Sequence, residues 1–490
     1  MNTRLLQTVA LVWLASSVTY LQLTDFPFTP DSYAYVAAAM SLEDHGRLTV
    51  PFAPSRAIAL PVPYTAWPPG YPIAIALVHA LGPDHWTAAR LVSMLGVLIA
   101  AAVFARLVRS LPGGELAFAL LLISWPTALC ATRAWSEGPF AALLCCCLWA
   151  AYSFRAASRP HIGHLVLAFV CAGLAGLFRY SGVFLLAPLL YLAQREGLRM
   201  HRIAASLGAL LAAVPLALWV WRNAELGASW RGATPHPPFW WRAPAEFCRA
   251  LGELSFAPVG LPAWIQASVG LILIVFFLYL VRLHLPRLRD SALAATSWPF
   301  LAAFVVGIVL ARGVGLTGVL VPRLIWPVLP LGAAVALALV HGERTFRRKA
   351  AYLVMPVLLA VQSVSVLLAP RVYPSLEQRL VKRAVPAFLK AESALLANRG
   401  WEIWRQTGRP VYYVPFHPHE DRLLGTDTLA AWARMRGVQY LAWFEEGAAP
   451  RSQRGVYGDL YDAVRTGDTL SIEPVWRADS VAVYRIRTER

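Results

Sequence analysis

Thr24–Val50, TDFPFTPDSYAYVAAAMSLEDHGRLTV, and its continuation Thr65–Gly82, TAWPPGYPIAIALVHALG, decide how this chain is read. They follow an apolar N-terminal run long enough to cross a bilayer, yet they do not continue as membrane. Asp31, several prolines, a set of aromatics and a short helical pattern interrupt the hydropathy. The run 70–82 is apolar, but at about 13 residues it is too short for a hydrocarbon core of about 30 Å. It suits an interfacial or re-entrant segment.

The chain as a whole is 58% hydrophobic and 14% charged. Soluble domains carry about 25% charged residues, so this chain has more apolar surface than a water-soluble core hides. The N-terminal MNTRLLQTVALVWLASSVTYLQL reads as a retained first membrane helix, because a cleaved leader has a shorter apolar core and a small-residue cleavage site. Windows of about 19 residues give about eleven spans. They fall near 5–23, 86–108, 114–131, 139–155, 163–178, 182–194, 203–221, 263–282, 292–311, 325–341 and 350–369. The fold class is mainly α, a polytopic transmembrane bundle over 1–370 with a small α/β domain over 371–490.

The net charge of +17 is spread between apolar runs and forms no single stripe, which argues against nucleic acid as a partner. With Arg4 inside, one set of connections holds Arg106 with Arg109, Arg155 with Arg159, and Arg195 with Arg199 and Arg202. Arg282, Arg287, Arg289 and the run Arg344, Arg347, Arg348, Lys349 fall on the same side. The positive-inside rule makes that side cytoplasmic. Counting 70–82 as a span would move these clusters outside. The opposite face then receives the first loop 24–85, the link ATRAWSEGP, the Trp- and Pro-rich loop 223–262 and the tail. The six cysteines include no CxxC pair, so neither a zinc ribbon nor a disulfide framework is expected. In the tail, 375–399 has helical spacing. RPVYYVP and VQYLAWF read as strands around the helix TDTLAAWARMRG, and EPVWRAD with SVAVYRIR reads as a closing hairpin.

Some residues carry chemistry on this outer face. Asp31 either caps a helix, as Ser32 also could, or serves as a general base at the membrane surface. Glu137 either makes a surface pair with Arg133 four residues earlier or acts as a second functional acid. Arg179, Arg222 and Arg323 sit where the positive-inside rule disfavours them. Singly they snorkel to headgroups; together they form a cationic patch for phosphate. His417, His419, Glu420 and Asp421 (HPHED) keep a divalent metal open as a cofactor, with a solvated loop as the plainer reading. No Walker loop, GxSxG or HExxH occurs.

In this order the motifs resemble the GT-C glycosyltransferases, membrane enzymes that use polyprenyl-phosphate sugars, and within them bacterial relatives of the protein O-mannosyltransferases and the aminoarabinose transferases. PDSYAY (30–35), WPPGY (67–71), RAWSEGPF (133–140), FRYSG (178–182), WRN (221–223) and PRLIWPVLP (322–330) carry the likeness. The resemblance implies Asp31 as catalytic base and Glu137 as a second catalytic acid. It implies Arg179, Arg133 and Arg323 at the donor phosphate, and Tyr33, Trp67 and Tyr71 as loop and substrate-positioning residues. It implies a polyprenyl-phosphate-linked sugar donor, a lipid, glycan or protein acceptor, membrane lipids as surroundings, and inversion at the anomeric carbon. The expected location is a bacterial inner membrane, with the site and the tail on the periplasmic side. Where the aminoarabinose enzymes carry Glu-Lys, this chain has Ala66 and Trp67, so the resemblance implies family-level chemistry and no particular substrate. The rival readings are a transporter or flippase of lipid-linked sugars, which needs charges in mid-membrane, and a glycan polymer ligase.

Overall fold

The computed structural model describes the chain except residues 1–2, 25–26, 55–56, 58, 110–113, 158–160, 197–198, 227–239, 256–259, 285, 287–290, 318–319, 340–356, 370–393, 399, 415–425, 445–458, 467–471, 479–480 and 488–490. The HPHED motif, the Trp- and Pro-rich centre of loop 223–262, the Arg344–Lys349 cluster and most of 375–399 therefore lie outside the described residues. The chain divides into two compact units. One holds Met1–Pro27 with Thr65–Arg371, the other Phe28–Tyr64 with Val372–Arg490.

The first unit is helical. Six described helices are long and apolar enough to cross a membrane: Leu5–Thr24, His85–Val108, Glu137–Ala156, Arg199–Glu225, Ala263–Leu283 and Ala292–Gly313. The pair Gly114–Ile123 and Trp125–Thr132, bent by 57°, makes a seventh if read as one span. Ile162–Phe178 and Val357–Leu368 are shorter apolar helices. The expected span 182–194 is a 3-10 turn, Tyr180–Leu185, running into the helix Leu186–Glu196. The segment after WPP forms Gly70–His79, whose 10 residues reach about 15 Å at 1.5 Å per residue, half a hydrocarbon core.

A break in an apolar helix leaves backbone groups that lipid cannot satisfy, so the protein must supply partners. At the bend, the Trp125 N–H donates to Gln362 Oε1 (2.9 Å), and Thr127 Oγ1 donates to the Leu121 carbonyl (2.7 Å). Gln362 is 3% exposed and donates in turn to the Ser255 carbonyl at 2.8 Å. The helices meet through small residues, as expected where lipid gives little hydrophobic drive to helix association. A Cβ at Gly96 would overlap the backbone of Gly138 and Pro139, and a Cβ at Gly138 would overlap the Ser93 carbonyl. The helices His85–Val108 and Glu137–Ala156 thus touch backbone to backbone.

The second unit is an α/β domain around a six-stranded sheet of order β2-β5-β4-β6-β8-β7. Its strands are β2 (Phe52–Pro54), β4 (Leu395–Ala397), β5 (Val411–Tyr413), β6 (Tyr440–Phe444), β7 (Ile472–Ala478) and β8 (Val481–Ile486). A separate two-stranded ribbon pairs β1 (Thr49–Val50) with β3 (Val62–Pro63). β2, β5, β4 and β6 pair in parallel, with helices Gly400–Thr407 and Thr426–Arg436 as crossovers; β6, β8 and β7 are antiparallel. Two features differ from the sequence reading. Residues 395–397, read as part of a helical stretch, form a strand whose three side chains are all buried. Phe52–Pro54, from the first loop, joins the tail's sheet with Phe52 opposite Val411.

The glycine contacts give opposite expectations at two sites. Gly138→Ala forces the two helices apart and lowers thermal stability in detergent. Gly332→Ala, in the helix Val328–Leu339 with nothing within 4 Å of the new methyl, raises it by about 0.5–1 kcal/mol through helix propensity. Fluorescence-detected size-exclusion melting curves of both variants check this.

Candidate functional site

The link between the helices Trp125–Thr132 and Glu137–Ala156 is held from behind. Ser93 Oγ accepts from the Trp135 N–H (2.9 Å) and donates to its carbonyl (2.8 Å). The Tyr71 hydroxyl lies 2.5 Å from Ser93 Oγ and 2.7 Å from the Ala89 carbonyl, to which it donates. Both side chains are fully buried; Ser93 bonds the backbone of the link, and Tyr71 braces Ser93 against the helix His85–Val108. Ser93 gave no sequence signal, since one serine on an apolar helix face is unremarkable by itself. Tyr71, expected to position the loop or substrate, packs here as an internal strut.

On this support stands an ion cluster. Glu137, the first residue of its helix, is 3% exposed. Its Oε1 lies 2.9 Å from Arg179 Nη1 and 3.7 Å from Arg323 Nε. Arg179 Nη1 also donates to Ser136 Oγ at 3.2 Å. The Arg323 guanidinium stands 4.4 Å from the centre of the Trp135 ring, and that of Arg133 stands 4.9 Å from it. A desolvated cation over an aromatic face gains about 2 kcal/mol, so Trp135 helps hold charge in a buried place. Glu137 is therefore no surface helix-start partner, and Arg179 and Arg323 do more than snorkel to headgroups.

Local backbone explains how each arginine arrives. Arg179 ends the helix Ile162–Phe178 in an extended conformation, φ −149° and ψ 137°, and the 3-10 turn follows at once. The Gly182 N–H donates to the Arg179 carbonyl at 2.9 Å. A Cβ at Gly182 would strike the backbone of Ala175 and Gly176, so this tight return requires glycine. Arg323 lies in the four-residue helix Pro322–Ile325, entered from an extended Val321 with Pro322 in its first turn.

Arg179 also lines a cavity of about 380 Å³. The walls are largely apolar, with Trp67, Val183, Phe184, Leu216, Ile308 and Leu324 among them. Tyr180, Ser181 and Thr317 add the other polar groups. The approach to Trp67 is fixed at the Thr65 carbonyl, which accepts from Asn223 Nδ2 (3.2 Å) and from the Tyr180 hydroxyl (3.4 Å). Asn223 is fully buried, and its Oδ1 accepts from Arg222 Nη1 at 3.1 Å. Arg222 stacks 4.4 Å from the Trp219 ring. Two arginines on one carboxylate, with a third over the Trp135 ring beside them, make a set suited to hold an anion, and the cavity lined by Arg179 suits hydrocarbon.

In the second unit, Asp31 is half-buried in the first turn of the helix Pro30–His45. It is not the cap. The Thr29 N–H donates to Ser32 Oγ at 3.0 Å, and the two hydroxyls lie 3.1 Å apart, so Thr29 and Ser32 close the helix start between them. The Asp31 carboxylate stands at the positive end of the helix dipole. Tyr33 is 1% exposed, its ring 6.4 Å from that of Phe28. Arg405, from the tail, covers the Phe28 ring at 5.0 Å. Sequence reading missed Arg405 because nothing local links it to residue 28.

Comparison with solved structures places the fold. ArnT from Cupriavidus metallidurans bound to undecaprenyl phosphate matches with a TM-score of 0.57 and 15% identity, over 98% of this chain and 97% of that one. AglB, the oligosaccharyltransferase of Archaeoglobus fulgidus in complex with an inhibitory peptide and a dolichol-phosphate, matches with a TM-score of 0.51 and 13% identity, over 89% of this chain and 69% of its own. The mycobacterial arabinofuranosyltransferase AftD matches with a TM-score of 0.50 and 17% identity, over 99% of this chain and 42% of its own. The fold is that of the GT-C membrane glycosyltransferases. Within that class, residues 66–221 match the sequence profile of the dolichyl-phosphate-mannose-protein mannosyltransferase family. No curated protein sequence matches the chain.

Glu137→Ala would remove the buried carboxylate that Arg179 and Arg323, themselves only partly buried, share. Loss of one partner from a fully buried pair costs about 3–5 kcal/mol, and the partial exposure of both arginines makes the loss here smaller. Glu137→Gln, which keeps an acceptor oxygen, loses less. Melting temperatures of the two variants in the same detergent give the comparison.

Proposed function

We propose that this protein transfers a sugar from a polyprenyl-phosphate donor to an acceptor hydroxyl. The observation that carries the proposal is Arg179, which belongs at once to the buried ion cluster with Glu137 and to the wall of an apolar cavity. An amphiphile with an anionic head and a hydrocarbon tail fits that pairing. The undecaprenyl phosphate and dolichol-phosphate named with the ArnT and AglB structures are ligands of that kind.

In this reaction the bond between the anomeric carbon and the phosphate oxygen breaks as the acceptor oxygen bonds to the opposite face of the sugar. The configuration inverts. Charge gathers on the departing phosphate, where Arg179, Arg323 and Arg133 offset it. Glu137 holds the first two in place and keeps them apart without filling their donor capacity, since each guanidinium has five N–H groups. Asp31 takes the acceptor's proton, an assignment resting on PDSYAY and its likeness to the GT-C first-loop motif. Free energy comes from the donor's phosphate ester, so no nucleotide enters. The arginine clusters at 106–109, 155–159, 195–202 and 282–289 support a cytoplasmic side opposite the reaction, and the bacterial inner membrane with a periplasmic site rests on the GT-C resemblance. The acceptor is a lipid, a glycan or a protein.

The test is a panel of polyprenyl-phosphate sugars incubated with the purified protein, read as release of free lipid phosphate and as the anomeric configuration of the product. Asp31→Asn should lower kcat by about 10²–10⁴ while lipid-phosphate binding stays within twofold. Arg179→Ala should weaken that binding. Full transfer by Asp31→Asn would remove Asp31 as base, and a product of retained configuration would remove direct displacement.

A further inference from the structure

Arg323 reaches Glu137 from a chain segment that is gripped just before it. Glu246 and Arg249 lie one turn apart on the helix Arg242–Ser255. Glu246 Oε2 accepts the Leu320 N–H at 3.2 Å, and Arg249 Nη2 donates weakly to the Leu320 carbonyl at 3.5 Å. Both backbone polar atoms of one fully buried residue, three positions ahead of Arg323, thus meet the same helix. Glu246 is itself locked. Arg312 gives it two parallel hydrogen bonds, Nε to Oε2 at 2.7 Å and Nη2 to Oε1 at 3.0 Å. Arg312 is 3% exposed, near the end of the helix Ala292–Gly313. At the next residue, Gly313, the Trp240 ring occupies the place where a Cβ would stand, so the start of the gripping helix docks on that same helix end.

Packing alone does not call for such an arrangement. A buried ion pair costs about as much to desolvate as it returns, and apolar groups of the same size hold a fold as well. What a two-pronged carboxylate–guanidinium pair adds is fixed orientation. We propose that the helix Arg242–Ser255 is a positioning element for the donor site: Glu246, oriented by Arg312 and assisted by Arg249, sets the Leu320 backbone and through it the stance of Arg323 beside Glu137 and Trp135. The inference rests on the reading of Arg323 as a donor-phosphate ligand given above. Burial opposes ionisation of Glu246, but hydrogen bonds from Arg312 and the Leu320 N–H, with the charges of Arg312 and Arg249, outweigh it and hold the carboxyl below its ordinary range. The grip therefore stays anionic at neutral pH. Trp240 and Trp241, 51% and 72% exposed at the start of this helix, suit an interfacial depth, so the element that aims Arg323 is also seated at the lipid surface.

The experiment is a double-mutant cycle in the full-length protein in lipid nanodiscs, using Glu246→Gln, Arg323→Ala and the pair. It reads KM and kcat for a polyprenyl-phosphate sugar and direct binding of the sugar-free polyprenyl phosphate. Glu246→Gln should raise KM about tenfold, with a smaller change in kcat, and should add nothing in the Arg323→Ala background. A merely structural role would lower both backgrounds alike, so multiplying effects overturn the proposal. If Glu246→Gln does not fold, Glu246→Leu with Arg312→Met removes the pair without stranding a charge, and the same tenfold KM rise is expected. Arg323→Ala with a raised KM beside an unaffected Glu246 variant also overturns the positioning role. An Arg323→Ala protein with unchanged KM and unchanged phosphate binding overturns the phosphate assignment itself, and the positioning role with it.

Discussion

The Glu137 carboxylate, shared between Arg179 and Arg323, sets conditions that much of the first unit meets. Alone in a low-dielectric place, either charge type would be driven out or neutralised. Together they keep the Glu137 carboxylate buried with two partly exposed cations on it, but only while the geometry holds to tenths of an ångström. Helix ends must therefore be exact in a region of the chain where lipid offers no polar rescue. The extended backbone at Arg179, the proline-led turn at Arg323 and the tied-down link at Trp135 are three separate answers to that one demand.

A second principle is the use of hydroxyls and amides where helices stop short. Ser93 at the Trp135 link and Thr127 and Gln362 at the bent span each satisfy backbone groups that an unbroken helix would satisfy itself, and Asn223 does the same for the loop carbonyl of Thr65. Trp326 Nε1 donates to Thr127 Oγ1 at 2.9 Å, which links the bend to the segment that follows Arg323. Breaks in the helices are thus joined to one another, and the arginines gather near those joints. Small residues let this happen, because glycine at 96 and 138 brings two backbones close enough for one serine to bridge them.

The six long described helices were readable because hydropathy is a local property: runs of apolar residues mark them whatever their neighbours do. Residues 70–82 were readable as too short for the same reason. The strands of the tail announced themselves through β-branched and aromatic runs, as in Val411–Tyr413 and Val481–Ile486. What stayed hidden depends on partners far along the chain. Nothing in ATRAWSEGP says that Ser93 will bridge Trp135, and nothing local separates Glu137 paired with Arg133 from Glu137 paired with Arg179. The proximity of Glu246 to Leu320 is equally silent, since it spans more than seventy residues and two long described helices. Strand β2 was invisible because three residues, one of them proline, carry too little pattern to register against any background of propensity.

That short strand has a consequence for how the protein is made. Phe52 finds its partner Val411 about 360 residues later, so the segment carrying Asp31 cannot complete its sheet until nearly the whole chain has left the ribosome. At about 5–20 residues per second, the wait is roughly 20–70 s. During it, every membrane helix has been synthesised while the Asp31 segment still lacks its parallel neighbour. A protein shortened before residue 395 would lose more than a tail: it would keep the aspartate but strip the sheet against which its loop is built.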